Sequence, residues 1–440
     1  MKRTITLVIL TLLIFGCEPK IDEFEASSGE ADFTSYVAIG NSLTAGYTNG
    51  ELYKTGQQNS FPAMLAEMFQ EAGGGKFNQP LMKDDLGLGN KLKLGYQEDC
   101  LGETSLSPLP VTDSPSPENM ASIAEEGPFH NMGVPGAKSF HLLANGYGQA
   151  NPYFGRFASE TGASVIGDAM LAQPSFFTCW IGNNDVLTYA TAGGEADSIT
   201  SPATFVQAMT GILQTLTSNG PDGAIANIPN ITEIPFFTTV PYNAITLDQA
   251  QAEQLNTAYA QYNAGAEAYS LPSISFEEGE NAMIIEDDSP EYQQLGGFRQ
   301  ITEDELVLLT IPQDSLKCAG WGTQKPVPNE YILDETEIQS IMNATTSFNQ
   351  TISNMASTYD LALVDMNGLM QEIASSGLKI DGVEYTSEFV SGSLFSLDGI
   401  HLTGQGYAIV ANRFVEAINQ KFNASLPKVN VTQKPGIQFP

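Results

Sequence analysis

The chain has 440 residues, of which 42% are hydrophobic, so it is long enough for two average domains or for one α/β domain with long insertions. It carries 51 acidic and 18 basic residues, and the resulting formal net charge of −33 repels phosphate backbones and anionic lipid headgroups. These values exclude a nucleic-acid-binding protein and electrostatic docking on anionic lipid. They fit an acidic surface that keeps an exported protein in solution.

The N-terminal residues are typical of a bacterial export signal. A basic start precedes an apolar run over residues 5–15, which is shorter than the ~20 residues of a membrane-spanning helix. Residues 13–17, Leu-Ile-Phe-Gly-Cys, resemble a lipobox, in which Cys17 becomes the acylated first residue. We therefore predict a signal peptide over residues 1–16 and a lipid-anchored tether over residues 17–34. The protein would then be a cell-envelope lipoprotein of the outer membrane, on its periplasmic face or at the cell surface.

Short apolar runs alternate with segments of helical period from about residue 35 onward. This alternation is typical of a parallel sheet covered by helices. The predicted strands, most of them apolar enough to be buried on both faces, are residues 36–40, 131–134, 176–181, 224–228 and 361–365. The predicted helices begin at the capping residues Ser201, Asp248, Asp334 and Thr403.

Two stretches, residues 73–128 and 271–330, break this alternation. The first is rich in Gly, Pro and Ser, and the second contains the acidic run at residues 286–288. We interpret both as insertions at loop positions of a domain over residues 35–424, because extra loop length costs little. The acidic run fits either a calcium site or a solvated loop, and the loop is favoured. Residues 425–440 are predicted to form a C-terminal tail.

The cysteines beyond Cys17 have different surroundings in the sequence. Cys179 lies in an apolar run, which indicates an inert core residue. Cys100 and Cys318 lie in the two insertions, where an oxidising compartment would allow them to pair, although the sequence leaves their geometry open. The chain has three histidines and no paired Cys/His spacing, so no metal site is predicted.

Three chemistry-bearing residues follow predicted strands. Ser42, after the first strand, fits either a helix N-cap or a nucleophile at the carboxyl end of a strand. Gly136, after the second, either allows a turn or lets its amide approach a developing oxyanion. Asn184, after the third, is either a turn or capping residue or a side-chain donor to the same oxyanion.

A fourth segment, just before the last predicted helix, contains Asp398 and His401. A catalytic base must take the serine proton with one imidazole nitrogen while a carboxylate holds the other nitrogen. An Asp and a His three residues apart on one turn can satisfy this geometry, although a surface or capping pair is the alternative. The other two histidines, His130 and His141, lack a carboxylate that close on their C-terminal side.

In this order, the four segments resemble the Ser, Gly, Asn and His signature blocks of the SGNH/GDSL hydrolases. The resemblance extends from about residue 35 to residue 422, and the two insertions have no counterpart in it. It implies a flavodoxin-like, three-layer α/β/α fold with a five-stranded parallel sheet, in agreement with the number of predicted strands. The sequence departs from the family pattern at Asn41, where the family usually has Asp, and at Leu402, where Pro is common. We expect Asn41 to alter a local hydrogen bond and to leave activity intact.

The resemblance also implies a function. Ser42 would be the nucleophile of a serine ester hydrolase, with His401 as its base and Asp398 as the orienting carboxylate. Ser42, Gly136 and Asn184 would form the oxyanion hole. The implied protein is a monomer without a cofactor that acts on a small-molecule, lipid or carbohydrate ester and meets the membrane through its N-terminal lipid. A lipase-like carboxylic ester hydrolase is the first hypothesis. The alternatives are a carbohydrate acetylesterase on the same scaffold and a catalytically silent surface-binding lipoprotein.

Overall fold

The structure is a computed structural model that describes residues 24–440. The predicted signal peptide, Cys17 and the first part of the predicted tether lie outside the described residues. None of the helices within residues 24–440 combines the length and the apolar character that crossing a bilayer requires.

The strands of residues 24–440 form one five-stranded sheet and five two-stranded sheets. The strands in chain order are β1 (Tyr36–Gly40), β2 (Leu92–Glu98), β3 (Thr104–Pro110), β4 (Asn131–Gly133), β5 (Phe176–Trp180), β6 (Asp222–Ala226), β7 (Ile245–Leu247), β8 (Gly279–Asn281), β9 (Ile284–Glu286), β10 (Phe298–Gln300), β11 (Leu306–Val307), β12 (Ile332–Leu333), β13 (Ala362–Val364), β14 (Leu378–Ile380) and β15 (Val383–Tyr385). The central sheet has the order β13-β6-β5-β1-β4, and its neighbouring strands are all parallel.

Most helices of the same residues follow or precede strands of the central sheet. The helices in chain order are α1 (Ser42–Ala45), α2 (Lys54–Gln58), α3 (Phe61–Glu71), α4 (Pro152–Gly155), α5 (Val165–Leu171), α6 (Asn184–Ala190), α7 (Pro202–Leu216), α8 (Pro235–Thr238), α9 (Gln249–Ala258), α10 (Ala260–Tyr269), α11 (Pro290–Gln293), α12 (Gln313–Cys318), α13 (Glu335–Thr358), α14 (Met366–Ser376) and α15 (Gly404–Phe422). Helix α3 packs on α15, and α7 packs on α5 and α13. The sheet and its helical layers form the predicted three-layer α/β/α fold.

The five predicted strands of the central sheet and the four predicted helix starts are confirmed. The strand ends shift by one or two residues, most clearly at β6, which begins at Asp222 rather than at residue 224. Ser201 and Thr403 cap α7 and α15 by accepting backbone hydrogen bonds, as their short hydroxyl side chains predict. The helix predicted from Asp248 is two helices, α9 and α10, which meet at Tyr259.

The folded chain includes residues on both sides of the predicted 35–424 boundaries. Ser27 forms a backbone bridge with Ser425, and Phe33 is buried in the core although it lies in the predicted tether. Val429 and Val431, in the predicted tail, are also buried. Apolar side chains flanking the sheet therefore continue the core at both ends of the domain.

Both predicted insertions contain secondary structure. The first contains the β2–β3 hairpin, and the second contains strands β8 to β11 with a small hydrophobic cluster of its own. A disulfide between Cys100, at the hairpin tip, and Cys318, at the end of α12, joins the two insertions. An ion pair of 2.7 Å between Asp99 and Lys317 lies beside the disulfide. The pairing that the sequence left open is thus a link between two segments far apart in the chain.

Candidate active site

The predicted site residues lie at the carboxyl edge of the central sheet. Ser42 opens α1 directly after β1, and Asn184 opens α6 shortly after β5. Gly40, the last residue of β1, leaves no room for a larger residue, because an added Cβ would lie 2.4 Å from the Trp180 carbonyl oxygen. The three strands β1, β4 and β5 therefore end close together, which is where open α/β sheets bind ligands.

Ser42, His401 and Asp398 form one continuous hydrogen-bonded chain. The Ser42 Oγ lies 2.8 Å from the His401 Nε2, and the His401 Nδ1 lies 3.0 Å from the Asp398 Oδ2. The Tyr47 ring packs against the imidazole with a centroid distance of 4.5 Å. A buried serine hydroxyl at this distance from an oriented imidazole can transfer its proton to it.

The Asp398 carboxylate is fixed by hydrogen bonds beyond the one to the imidazole. It accepts from the backbone amides of Gly50, Ile400 and His401 at 2.9, 3.0 and 2.8 Å, and from the Ser396 hydroxyl at 3.1 Å. Burial raises the pKa of this carboxyl. The electrostatic interaction with His401 and the hydrogen bonds from His401 and Ile400 outweigh the burial, so the pKa of Asp398 lies well below its usual range. Asp398 is therefore an anion in the folded protein at neutral pH.

A turn over residues 48–51, far from Asp398 in the chain, holds the loop of Asp398 in place. The Asn49 amide donates to the Ser396 hydroxyl at 2.8 Å, and the Asn49 side chain accepts from the Leu397 amide at 3.2 Å. On another side of the same loop, the Phe236 amide donates to the Gly399 carbonyl at 3.0 Å. The sequence analysis missed these contacts, because none of them follows from a local pattern.

The predicted oxyanion donors have free or partly free N–H groups. Gly136 has a φ of +77°, which glycine adopts readily, and a Cβ built there would meet nothing within 4 Å. Within residues 24–440, neither the Gly136 amide nor the Ser42 amide donates a hydrogen bond. Asn184 donates one side-chain N–H to the Ala137 carbonyl at 2.9 Å, which leaves its second N–H without a partner in the same residues.

Asp185, the residue after Asn184, is a fully buried carboxylate. It accepts hydrogen bonds from the Ser139 amide at 2.8 Å and from the Ser139 hydroxyl at 2.7 Å. Burial raises the pKa of Asp185, and the hydrogen bonds from Ser139 limit the rise. Asp185 thus ties the chain that follows Gly136 to α6. Its position directly after Asn184 was the only sequence signal for this role.

Asn41, the residue that departs from the family pattern, is bonded on both sides of its amide group. Its Oδ1 accepts from the Leu43 amide at 3.0 Å, and its Nδ2 donates to the Asn183 Oδ1 at 3.3 Å. Asn183 is buried, with only 3% of its surface exposed, so it is part of the site's framework. The sequence analysis expected Asn41, in place of the usual Asp, to alter a local hydrogen bond. That bond is the one that Asn41 donates to Asn183.

The sequence matches the model of a known protein family. The model of the GDSL-like lipase/acylhydrolase family matches residues 36–306, which is more than half of the chain. The chain belongs to the GDSL-like lipase/acylhydrolase family. The match includes Ser42, Gly136 and Asn184 but ends before Asp398 and His401. Membership makes the chain an ester hydrolase in general terms.

Two solved structures of hydrolases are similar to this family member over most of its length. One is LAE5, an α/β hydrolase from the metagenome of Lake Arreo in Spain, and the other is an extracellular lipase from Streptomyces rimosus. Each is 11% identical in sequence to this chain, has a TM-score of 0.35 and covers 88% of this chain. The match covers 96% of the LAE5 chain and 99% of the lipase chain. A search among curated proteins finds no match. Within residues 24–440, no group of His, Cys, Asp or Glu side chains is arranged to hold a metal ion.

The lowered pKa of Asp398 predicts a pH-dependent contribution to stability. Because the folded pKa lies below the ordinary value of 3.8, the ionised carboxylate stabilises the fold above that pH, and the contribution is lost as pH falls toward the folded pKa. We expect the melting-temperature difference between wild type and Asp398→Asn to shrink between about pH 6 and about pH 3. The exposed Asp113→Asn is the control and should melt with wild type throughout. A difference for Asp398→Asn that stays constant with pH would contradict the assignment.

Proposed function

We propose that the chain is a serine hydrolase of carboxylic esters, with Ser42 as nucleophile, His401 as general base and Asp398 as the carboxylate that orients the imidazole. The observation that carries the proposal is the unbroken chain from the Ser42 Oγ through both imidazole nitrogens to the Asp398 carboxylate, at 2.8 and 3.0 Å. Family membership supports the same reaction class independently of these hydrogen bonds, because the residues that the family model matches end before His401.

The proposed reaction is acyl transfer in two steps. The Ser42 Oγ attacks the ester carbonyl carbon while the His401 Nε2 takes the hydroxyl proton, and the imidazolium then gives that proton to the departing alkoxide. Water attacks the carbonyl carbon of the resulting acyl-serine while His401 takes a water proton. The imidazolium gives that proton to the Ser42 Oγ as the acyl–serine bond breaks, so the carboxylic acid leaves and Ser42 and His401 are restored. Asp398 remains an anion throughout and stabilises the imidazolium.

The negative charge on the carbonyl oxygen needs donors in both steps. The amides of Ser42 and Gly136 are unpaired within the described residues, and the Asn184 side chain has a second N–H to donate. These three groups are the proposed oxyanion hole, in which each donor stabilises the transition state by ~3 kcal/mol. Because the bond from Asn184 to Ala137 fixes the amide plane before substrate arrives, little reorganisation is needed at the moment of attack.

The first test is directed at the proton relay. Ser42→Ala and His401→Ala should each lower kcat by roughly 10³- to 10⁶-fold, since members of one relay fail together. Both variants should also lose covalent labelling by a fluorophosphonate probe. The exposed Ser114→Ala is the control and should keep full activity and labelling. A folded His401→Ala enzyme with a near-normal rate would place the base elsewhere, and an unlabelled wild type would favour the silent binding protein.

The second test is directed at Asn184. If this residue donates to the oxyanion, Asn184→Ala should lower kcat by ~100- to 1000-fold with little change in KM, because the bond strengthens only in the transition state. Loss of the hydrogen bond to Ala137 should also reduce the free energy of unfolding by about 1 kcal/mol. Asn354→Ala, at an exposed position of α13, is the matched control. A loss of stability without a loss of turnover at Asn184 would return it to a purely structural role.

We also propose that Cys17 carries a lipid and that the protein is held in the cell envelope, at the outer membrane. The described chain supports this arrangement, because it starts at the end of the fold that is remote from the site. Ser27 pairs with Ser425, beyond the C-terminal end of α15, whereas His401 lies at its N-terminal end. The 19 residues of α15 separate these ends by about 28 Å.

The anchor proposal predicts a specific labelling pattern. Cells fed a palmitate analogue with a clickable alkyne should label the wild-type protein and should not label Cys17→Ala. The variant should be released in soluble, active form or should accumulate as unprocessed precursor. Cys179→Ala is a control that should label like wild type, since that thiol is buried in the core. Equal labelling of wild type and Cys17→Ala would refute the anchor.

A further inference from the structure

An apolar cavity of about 80 Å³ lies beside the candidate nucleophile, on the side of the sheet edge away from Gly136. Its lining includes Trp180, at the carboxyl end of β5, and Met366 and Met370, on the first turns of α14. These three side chains are almost completely buried. The proposed reaction, as described above, makes no use of this cavity.

The cavity lies next to the chain at Ser42 and His401. Leu43, which directly follows Ser42, and Ile400, which directly precedes His401, both line the cavity. These two residues are only half-buried, in contrast to Trp180, Met366 and Met370. The chain neighbours of the two residues that carry the proposed acyl transfer thus form part of the cavity wall.

The chemistry of the lining favours hydrocarbon. Asn183 contributes the one polar side chain among the described residues that line the cavity, and its Oδ1 already accepts a hydrogen bond from Asn41. A sugar placed here would leave its hydroxyl groups without partners, whereas each methylene would be removed from water. Met366 and Met370 are unbranched and flexible, so they can adapt to chains of different length.

We propose that this cavity binds the acyl chain of the ester, so that the enzyme prefers an unbranched aliphatic acyl group to acetyl. This assignment rests on the proposed function. An apolar cavity beside the nucleophile suits the acyl part, because that part stays bonded to Ser42 through both steps. The alcohol must leave after the first step and be replaced by water. The buried lining residues, Met370 among them, then set the length of chain that the enzyme accepts.

A kinetic series tests the chain-length role. On p-nitrophenyl acetate, butyrate, hexanoate and decanoate, kcat/KM for wild type should rise about fourfold per methylene until the cavity is filled. Met370→Phe fills part of the cavity with a larger side chain and should lower the ratio of decanoate to acetate kcat/KM at least tenfold. Met342→Phe is the matched control at an exposed position of α13 and should keep the wild-type ratio. An unchanged ratio in Met370→Phe would overturn the proposal.

A second series separates the acyl part from the alcohol part. Acetate esters of alcohols of increasing length should respond equally in wild type and Met370→Phe if the cavity holds the acyl chain. If the variant instead discriminates among alcohols and not among acyl chains, the cavity holds the alcohol and the acyl assignment is wrong.

A binding measurement distinguishes failure of this proposal from failure of the catalytic one. The sequence has two tryptophans, Trp180 and Trp321, so a Ser42→Ala, Trp321→Phe variant reports on the cavity through Trp180 alone. Fatty acids brominated at the chain end should quench its fluorescence, and Met370→Phe added to that variant should weaken the quenching. Quenching without fluorophosphonate labelling of wild type would support the cavity and refute the mechanism. Labelling without quenching would refute the cavity alone.

Discussion

The carboxylate of Asp398 accepts hydrogen bonds from three backbone amides, one hydroxyl and the imidazole of His401. A largely buried anion is tolerated only when its oxygens are satisfied, so these bonds hold the carboxylate in one position. Two of the amides belong to the loop of Asp398 itself, and the third belongs to Gly50, in the turn after α1. The orientation of the imidazole, and with it the 2.8 Å contact to Ser42, depends on this arrangement.

The two insertions support the same loop from different sides. The amide of Leu92, at the start of the first hairpin, donates to the Asn49 carbonyl, and Asn49 holds the loop of Asp398. In the second insertion, the Leu309 amide donates to the carbonyl of Phe236, whose own amide donates to Gly399. The disulfide between the insertions joins these two supports to each other. The two segments that were predicted to be insertions therefore contribute to the geometry of the Asp-x-x-His turn.

The sequence predicted the parts of the fold in which local pattern and tertiary burial agree. Strand β1 is buried at every position, and α15 buries one continuous face after a Thr403 cap, so periodicity alone was sufficient. The β2–β3 hairpin was missed because its strands are rich in Ser, Pro and charged residues and are exposed over most of their length. Ser42, Gly136 and Asn184 could be singled out because each one follows a strand that the pattern located, and His401 because it lies just before a predicted helix.

Partners that are distant in the chain could not be predicted. The disulfide joins residues 218 positions apart, and the bond between Asn41 and Asn183 spans 142 positions. The Asn183 side chain bonds to Asn41 and to no described residue of its own segment, so no local pattern predicts its place in the site. The fold alone determines which side chains face one another across two strand ends.

The contact between Asn41 and Asn183 gives a physical account of the departure from the family pattern. Asp398, Asp185 and Glu51 are all carboxylates held near this sheet edge with little or no exposure. An aspartate at position 41, which is only 1% exposed, would add a further buried charge and would turn an acceptor toward the Asn183 Oδ1. An asparagine keeps the bond from the Leu43 amide and adds a donor for Asn183 without that charge. In a protein with a net charge of −33, the neutral amide keeps both hydrogen bonds of residue 41 and adds no further buried negative charge beside the nucleophile.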